Sequence, residues 1–214
     1  MLLRALVPLA VTLLTSGCSG LLHSSQPPEQ TYFLRAKSDA PRDAARPVVD
    51  ASLRVVHPLT DPGLDSPRIV LVQSDRRMNF YAASQWPAPL SNVVESLTIE
   101  TLRASGSWTS IEGSTSPFPS DYVLQIAVRR FEADYTSGAP APEVHVVLDC
   151  ILGRREGRDV IASFIAEGSS VAAANRLTDV IAAFETAANA ALASLSQHSI
   201  EAVHSDLERG QRAR

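Results

Sequence analysis

Two neighbouring segments in which apolar residues alternate with mixed ones constrain the fold of this chain more than any other feature. They span residues 122–129 and 143–152, and a short loop rich in Gly and Pro, residues 136–142, lies between them. Alternation with a period of two indicates a strand with one buried face. Two such strands joined by a short loop predict an antiparallel hairpin. The inward positions of the first strand are Tyr122, Leu124, Ile126 and Val128.

Two segments instead show the spacing of amphipathic helices. The first helix is predicted over 90–104, with Gly106 as its left-handed C-terminal cap. The second is predicted over about 175–197, and the alanines on its apolar face permit close approach to a sheet. Residues 199–214 are charged and are expected to fray. The apolar stripe of the second helix is Leu177, Ile181, Phe184, Ala188, Ala191 and Leu195.

The remaining apolar runs are short and bounded by turn residues, which predicts further strands. One of them, residues 68–73, is apolar without interruption in its centre and is expected to be buried on both faces. The order of strands, helix, strands and helix favours an α+β fold. We expect a mixed, largely antiparallel sheet with two main helices packed on it in a single domain. The other predicted strands are 31–35, 53–57, 78–83, 108–112 and 160–167.

The N-terminus has the pattern of an export signal. Arg4 precedes an apolar stretch, residues 5–14, and small residues lead to Cys18. This arrangement predicts a secretory signal over 1–17, and its end at a cysteine resembles a bacterial lipoprotein signal. Elsewhere, no apolar run reaches the roughly 18–20 residues that a membrane-spanning helix needs.

A lipoprotein signal implies that the Cys18 thiol carries a diacylglycerol and that its freed amine is acylated, for example with palmitate. Several buried acyl chains make such attachment permanent. Ser19 stands where Asp is the usual inner-membrane retention signal, so the resemblance points to the outer membrane of a Gram-negative bacterium. The alternative is an ordinary cleaved signal with an incidental cysteine. The predicted organisation is a flexible tether over 18–30, a folded domain over 31–199 and a charged tail over 200–214.

Composition and motifs exclude several function classes. The formal net charge of −4 argues against nucleic acid as a partner, because phosphate binding requires a clustered basic face. The sequence contains none of the G-x-S-x-G, H-E-x-x-H, P-loop or G-x-G-x-x-G motifs. Its five histidines are scattered, so no metal site or cofactor is predicted. We therefore expect a protein that is not an enzyme.

Two single residues leave alternatives open. Cys150 has Leu148 and Leu152 at two-residue spacing, which favours a buried thiol, whereas a reactive thiol would need an exposed electropositive site. Trp86 is followed by Pro87 between a strand and a helix. Such an indole either caps the core or anchors a partner surface.

Several short motifs follow one another along the chain in a recognisable order. They are Cys18, Tyr32-Phe33-Leu34, Leu53-Arg54-Val55, Gly63-Leu64, Arg68-Ile69-Val70-Leu71, Phe80-Tyr81, Trp86-Pro87-Ala88-Pro89-Leu90, Asp121-Tyr122-Val123-Leu124 and Val180-Ile181-Ala182-Ala183-Phe184. Taken together, these segments resemble the ABC-type transport auxiliary lipoproteins, a family that includes the paraquat-inducible protein C lipoproteins. The resemblance covers about residues 30–199 of the mature chain.

The resemblance implies an outer-membrane-anchored periplasmic subunit without catalytic residues. Its implied partners are an ABC permease and ATPase and a periplasmic protein with an MCE domain, in a system that moves lipids between membranes. We expect Trp86, Tyr81 and the neighbouring loops to contact the MCE protein. Two alternatives remain: a stand-alone lipid-binding lipoprotein, which needs an apolar cavity between sheet and helices, and a hydrolase, for which no nucleophile–base pair is visible.

Overall fold

The computed structural model describes residues 28–37 and 49–212, so the predicted signal and the lipidation site at Cys18 lie outside the described residues. The described part contains nine strands and two helices. In chain order these are β1 (Gln30–Thr31), β2 (Val49–Val55), β3 (Leu59–Thr60), β4 (Arg68–Val72), β5 (Met78–Gln85), α1 (Leu90–Ala104), β6 (Trp108–Glu112), β7 (Tyr122–Asp134), β8 (Glu143–Arg154), β9 (Val160–Val171) and α2 (Leu177–Arg212).

Strand β7 connects the two halves of the sheet. Along one edge it pairs antiparallel with β8, and β9 pairs antiparallel with β8 in turn. Along the other edge β7 pairs in parallel with three shorter strands, first β2, then β3, then β4. Strand β6 continues the sheet from β2, whereas β5 and β1 continue it from β4. The result is an open mixed sheet, as the sequence predicts.

Helix α2 covers the apolar face of the predicted hairpin. The alternating residues of β8 from Val144 to Leu152 are buried beneath it, as are Phe184 and Leu195 of the helix. The approach is very close at Gly168 of β9, where an added Cβ would overlap the carbonyl oxygen of Ala187 and lie 2.9 Å from the Cβ of Ala190. Small residues on both elements therefore allow this contact, which confirms the interpretation of the alanines.

Most elements of the α+β prediction are confirmed. The antiparallel hairpin of β7 and β8 is present, and α1 has the predicted bounds. Gly106 follows α1 with a φ of +62°, as a left-handed cap requires. Burial on both faces is only partly confirmed for β4, since Ile69 and Val70 are buried but Leu71 and Val72 are only half-buried.

Two predictions about the chain ends are wrong. The region after Ser199 does not fray, because α2 continues to Arg212 and buries Val203 and Asp206. The predicted strand over 31–35 pairs only at its start. Beyond β1 the chain instead runs along α2, where the side chain of Asn189 binds its backbone.

The oxygen and the nitrogen of the Asn189 side-chain amide both bind this N-terminal segment. The Lys37 N–H donates to Asn189 Oδ1 at 2.6 Å, and Asn189 Nδ2 donates to the Arg35 carbonyl at 3.0 Å. The Arg35 N–H also donates to Glu185 Oε2 at 3.1 Å. Backbone groups that a neighbouring strand would have satisfied are thus satisfied by helix side chains.

Substituting Gly168→Ala tests the packing of α2 on β9. We expect the free energy of unfolding to fall by about 1–3 kcal/mol or more, because the methyl group meets helix backbone that can yield only by moving α2. Gly210→Ala is the matched control, since its Cβ would meet nothing within 4 Å. This control should raise the unfolding free energy by up to about 1 kcal/mol through helix propensity. If urea denaturation gave the same change in unfolding free energy for Gly168→Ala and for Gly210→Ala, the packing argument would be wrong.

Candidate functional site

Trp86 is part of the core. Its side chain is only 2% exposed, and its indole packs edge-on against Phe131 and Phe184 at centroid distances of 5.9 and 5.3 Å. The two phenyl rings stack on each other at 5.4 Å. Of the two alternatives for Trp86, the structure therefore shows the one in which the indole caps the core. Its predicted contact with a partner could only be indirect, through the loops that it supports.

Tyr81 lies nearer the surface and takes part in a chain of hydrogen bonds. Its hydroxyl is 2.8 Å from the hydroxyl of Tyr135, which donates to Asn175 Oδ1 at 2.8 Å. Burial raises the pKa of Tyr81 above its ordinary value, and the neighbouring Tyr135 contributes in the same direction. Tyr81 is thus a neutral donor that joins β5 to the end of β7 and to the segment before α2.

Tyr135 and Asn175 line an open cleft of about 490 Å³ at one end of the sheet, which we call the tyrosine cleft, and Tyr81 supports its wall through the hydrogen bond to Tyr135. It forms where β4 and β7 end side by side, because Tyr135 donates its N–H to the Val72 carbonyl at 2.9 Å. The β4–β5 turn provides the opposite wall. The lining residues are Leu71, Gln73, Ser74, Asp75, Arg77, Tyr135 and Asn175.

The charged pair of the tyrosine cleft is held in a fixed arrangement. Arg77 donates from Nε to Asp75 Oδ2 at 2.6 Å and from its backbone N–H to Oδ1 at 3.2 Å. The backbone hydrogen bond from Arg77 is the main cause that lowers the pKa of Asp75. Three-quarters of the Arg77 side chain remains exposed. An exposed Arg near a Tyr is a composition typical of protein-binding surfaces.

A second polar cluster joins three separate segments. His57 Nδ1 lies 2.9 Å from Glu95 Oε2 on α1, and the Ser114 N–H donates to Glu95 Oε1 at 3.0 Å. Burial alone would raise the pKa of Glu95, but the hydrogen bonds from Ser114 and His57 lower it. Sequence reasoning treated His57 as an isolated histidine, because nothing in the local pattern places it beside a helix 38 residues away. The cluster ties α1 to the loop that follows β6.

The described residues contain no group of three or more His, Cys, Asp or Glu side chains that could hold a metal ion. Cys150 is fully buried on β8 among the side chains facing α2, and burial raises its pKa to about 12. The thiol is therefore protonated at neutral pH and behaves as a small core residue, which confirms the interpretation drawn from its neighbours.

The end of α2 is held by a buried carboxylate that the sequence did not reveal. Asp206 accepts hydrogen bonds from Arg154 Nη2 at 2.7 Å, Arg154 Nε at 3.1 Å and the Tyr122 hydroxyl at 2.9 Å. The Arg154 hydrogen bonds are the main cause that lowers the pKa of Asp206. This cluster fastens the last turns of α2 to β7 and β8 at the end of the sheet opposite the tyrosine cleft.

Comparison with known proteins decides the family. The sequence model of the family described as ABC-type transport auxiliary lipoprotein component matches residues 32–198. The chain belongs to this family. The matched region begins just after β1 and ends within α2, so it includes Tyr81, Trp86 and the whole tyrosine cleft. Asp206 lies beyond it.

Solved structures share the fold of this family member. Protein XCC0632 from Xanthomonas campestris superimposes with a TM-score of 0.76 at 25% sequence identity, over 84% of this chain and 99% of that one. A second structure, described only as an uncharacterised protein, has a TM-score of 0.62 at 14% identity, over 80% of this chain and 99% of that one. No curated protein matches the sequence.

Two further observations concern membrane-spanning helices and the packing between α2 and the sheet. No helix among the described residues combines the length and the hydrophobicity that crossing a membrane requires. At Gly168, β9 lies directly against the backbone of Ala187 and Ala191 of α2, so an acyl chain could not pass between the two elements at this position.

Substituting Asp206→Asn tests the carboxylate at the end of α2. At neutral pH we expect the unfolding free energy to fall by about 1–3 kcal/mol, because the charged acceptor for Arg154 and Tyr122 is lost. Asp206 has a lowered pKa in the folded state, so its contribution is complete above the ordinary value of about 3.9 and disappears as the pH falls below it. The difference between variant and wild type should therefore shrink at about pH 3 and below.

The control for this experiment is Glu208→Gln on the same helix, where the carboxylate is half exposed and pairs with Arg212 at 3.9 Å. This substitution should change the unfolding free energy by no more than about 0.5 kcal/mol at any pH. An Asp206→Asn penalty that stayed constant from pH 7 to the acid range would show that the negative charge is not what matters.

Proposed function

We propose that this protein is an outer-membrane-anchored periplasmic lipoprotein that serves as a non-catalytic auxiliary subunit of an ABC transporter. Its proposed partners are the permease and ATPase of that transporter and a periplasmic MCE-domain protein. The system would move lipids between the two membranes. The match of the family model over residues 32–198 is the observation that carries the proposal, because it covers nearly the whole described chain.

The sequence before the folded domain supports the proposed location. Cys18 follows an apolar segment and a run of small residues, and Ser19 replaces the usual retention signal. Eleven residues lie between Cys18 and Gln30, where β1 begins. A flexible chain of this length spans roughly 15–20 Å. The proposed anchor would therefore keep the domain close to the membrane surface while leaving it free to turn towards a partner.

The tyrosine cleft is the proposed contact site for the MCE protein. Its lining residue Tyr135 is hydrogen-bonded to Tyr81, which is half-buried and is the more exposed of the two sequence-predicted contact residues. Arg77 projects from its rim, and the hydrogen bonds among Tyr81, Tyr135 and Asn175 hold one wall in place. A pre-arranged wall lowers the ordering cost of binding. The buried Trp86 would act from below by holding β5 against the core.

The proposed anchoring is tested with two neighbouring substitutions in the full-length protein. Cys18→Ala should abolish incorporation of labelled palmitate and release the protein into the periplasmic fraction. Ser19→Asp should leave acylation intact but move the protein from outer-membrane to inner-membrane fractions on a sucrose gradient. Acylation that persists in Cys18→Ala would contradict the proposed lipidation site, and an unchanged location of Ser19→Asp would contradict the sorting argument.

The proposed contact is tested with Arg77→Glu, which reverses an exposed charge at the tyrosine cleft. We expect the amount of MCE protein recovered with the purified lipoprotein to fall by about 10-fold, because Arg is enriched among the residues that dominate binding energy and its charge is reversed here. Arg155→Glu is the matched control, because this exposed Arg lies in the β8–β9 turn at the opposite end of the sheet. Circular dichroism should show that both variants are folded.

The outcomes separate the proposal from its alternatives. If the MCE protein were recovered equally with Arg77→Glu and with wild type, the proposed contact at the tyrosine cleft would be wrong. Failure to recover any MCE protein, together with phospholipid bound stoichiometrically to the purified protein, would instead favour a stand-alone lipid-binding lipoprotein.

A further inference from the structure

The N-terminal segment shows from which end of the molecule the chain enters the fold. Strand β1 pairs in parallel with β5, with Gln30 opposite Ser84. Strand β5 begins at the end of the sheet that carries the tyrosine cleft, because its first residue, Met78, pairs with Val72 at the end of β4. A chain that enters a strand parallel to β5 therefore arrives from the side of the tyrosine cleft.

The residues after β1 continue in the same direction. Helix α2 starts beside the tyrosine cleft and runs towards the opposite end of the sheet, where Asp206 binds β7 and β8. The Arg35 N–H donates to Glu185 of this helix. The Lys37 N–H donates to Asn189, which lies four residues further along it. From β1 onwards, the N-terminal segment thus runs away from the cleft.

The position at which β1 enters lies nearer to the cleft end than to the opposite end. Thr31 pairs with Gln85, and Gln85 pairs with Arg68 of β4. From Arg68 to Val72, where β4 ends beside the cleft, the strand covers about 13 Å. By the register of β4 on β7, Arg68 lies about eight residues, or about 26 Å, from Tyr122 at the other end.

These distances matter for a protein that is anchored at Cys18. Eleven residues lie between Cys18 and Gln30, and as a random coil they span roughly 15–20 Å. This span covers the distance from β1 to the cleft end but not the distance to the opposite end. The length and the direction of the chain before β1 therefore both bring the cleft end towards the anchor.

The surface of the cleft end is compatible with a membrane. Met78 and Val171 lie in its outermost row and are 44% and 65% exposed. The loop between β7 and β8, residues 136–142, contains no charged residue. By contrast, five of the six residues 154–159, which include the turn at the opposite end, are charged. Exposed apolar groups and a low density of charge reduce the cost of contact with lipid headgroups.

We propose that the cleft end of the domain faces the outer membrane and contacts its surface. The inference rests on the proposed lipid anchor at Cys18. Exposed apolar side chains alone do not select this end, because Phe118 and Val160 are exposed near the opposite one. The direction and length of the N-terminal chain select it. A partner protein bound in the tyrosine cleft would then end beside the bilayer.

The test uses the full-length lipidated protein in vesicles of phosphatidylethanolamine and phosphatidylglycerol that contain a lipid with a nitroxide headgroup. A fluorophore is attached at Ala139→Cys, in the exposed loop of the cleft end. Glu156→Cys is the matched control, in the exposed turn at the opposite end. Cys150 is fully buried and does not compete for the label. We expect loss of fluorescence at position 139, whereas position 156 should keep its fluorescence.

A second pair of variants tests the contact with the lipid surface. Arg76→Glu and Arg158→Glu are each introduced into the labelled Ala139→Cys protein. Both arginines are exposed turn residues with positive φ, 66° and 57°, but Arg76 lies at the cleft end and Arg158 at the opposite end. Arg76→Glu should reduce the quenching, because an acidic side chain is repelled by anionic lipid. Arg158→Glu should leave the quenching unchanged.

Each outcome decides the proposal. Quenching at position 139 but not at 156, reduced by Arg76→Glu alone, supports it. Equal or stronger quenching at 156, or no quenching at either position in protein that floats with the vesicles, overturns it. Quenching at 139 that Arg76→Glu does not reduce overturns the contact with the surface. Protein that does not float with the vesicles overturns the anchoring at Cys18 and, with it, this inference.

Discussion

The long strand β7 is the constraint on which the rest of this structure depends. It contains 13 residues, which is long enough to pair with the whole of β8 along one edge and with three short parallel strands along the other. Strands β2, β3 and β4 pair with successive parts of the same edge of β7, from its start to its end. Different loops therefore gather at the two ends of β7.

Each end carries a different polar arrangement, and the difference follows from which chain segments arrive there. At the start of β7, Tyr122 meets Arg154 and the last turns of α2, and the buried Asp206 unites them. At the other end, Tyr135 lies beside the β4–β5 turn and the segment before α2, which leaves an open cleft. The buried carboxylate of Asp206 at the start of β7 holds the end of α2 in place. The polar groups at the other end of β7 are exposed.

Much of the architecture could be predicted because the responsible signals are local. Alternation in β7 and β8, the apolar stripe of α1 and the cap at Gly106 each arise within one element, so tertiary contacts do not change them. The parallel attachment of β2, β3 and β4 to β7 could not be predicted in this way. Parallel pairing depends on segments distant in sequence, and their short apolar runs are compatible with several neighbours.

The candidate site shows the same division between local and distant information. Sequence reasoning named Tyr81 and Trp86 together as contact residues, but burial separates them. Tyr81 is hydrogen-bonded to Tyr135 of the cleft, whereas Trp86 packs in the core against Phe131 and Phe184. Tyr135, Asn175 and Arg77 carried no signal of their own. They form a site only because the end of β7, the segment before α2 and the β4–β5 turn lie next to one another in the folded protein.

By itself, the sequence determined the class of fold, the hairpin at its centre, the inert environment of Cys150 and the resemblance to its family, since these depend on periodicity and on short ordered motifs. Only the tertiary structure decided that α2 extends to Arg212, that Asp206 is buried, that residues 35–37 lie along α2 and that three short strands pair in parallel with β7. The physical reason is that each of these features arises from contact between residues far apart in the chain, and a local pattern contains no information about such contacts.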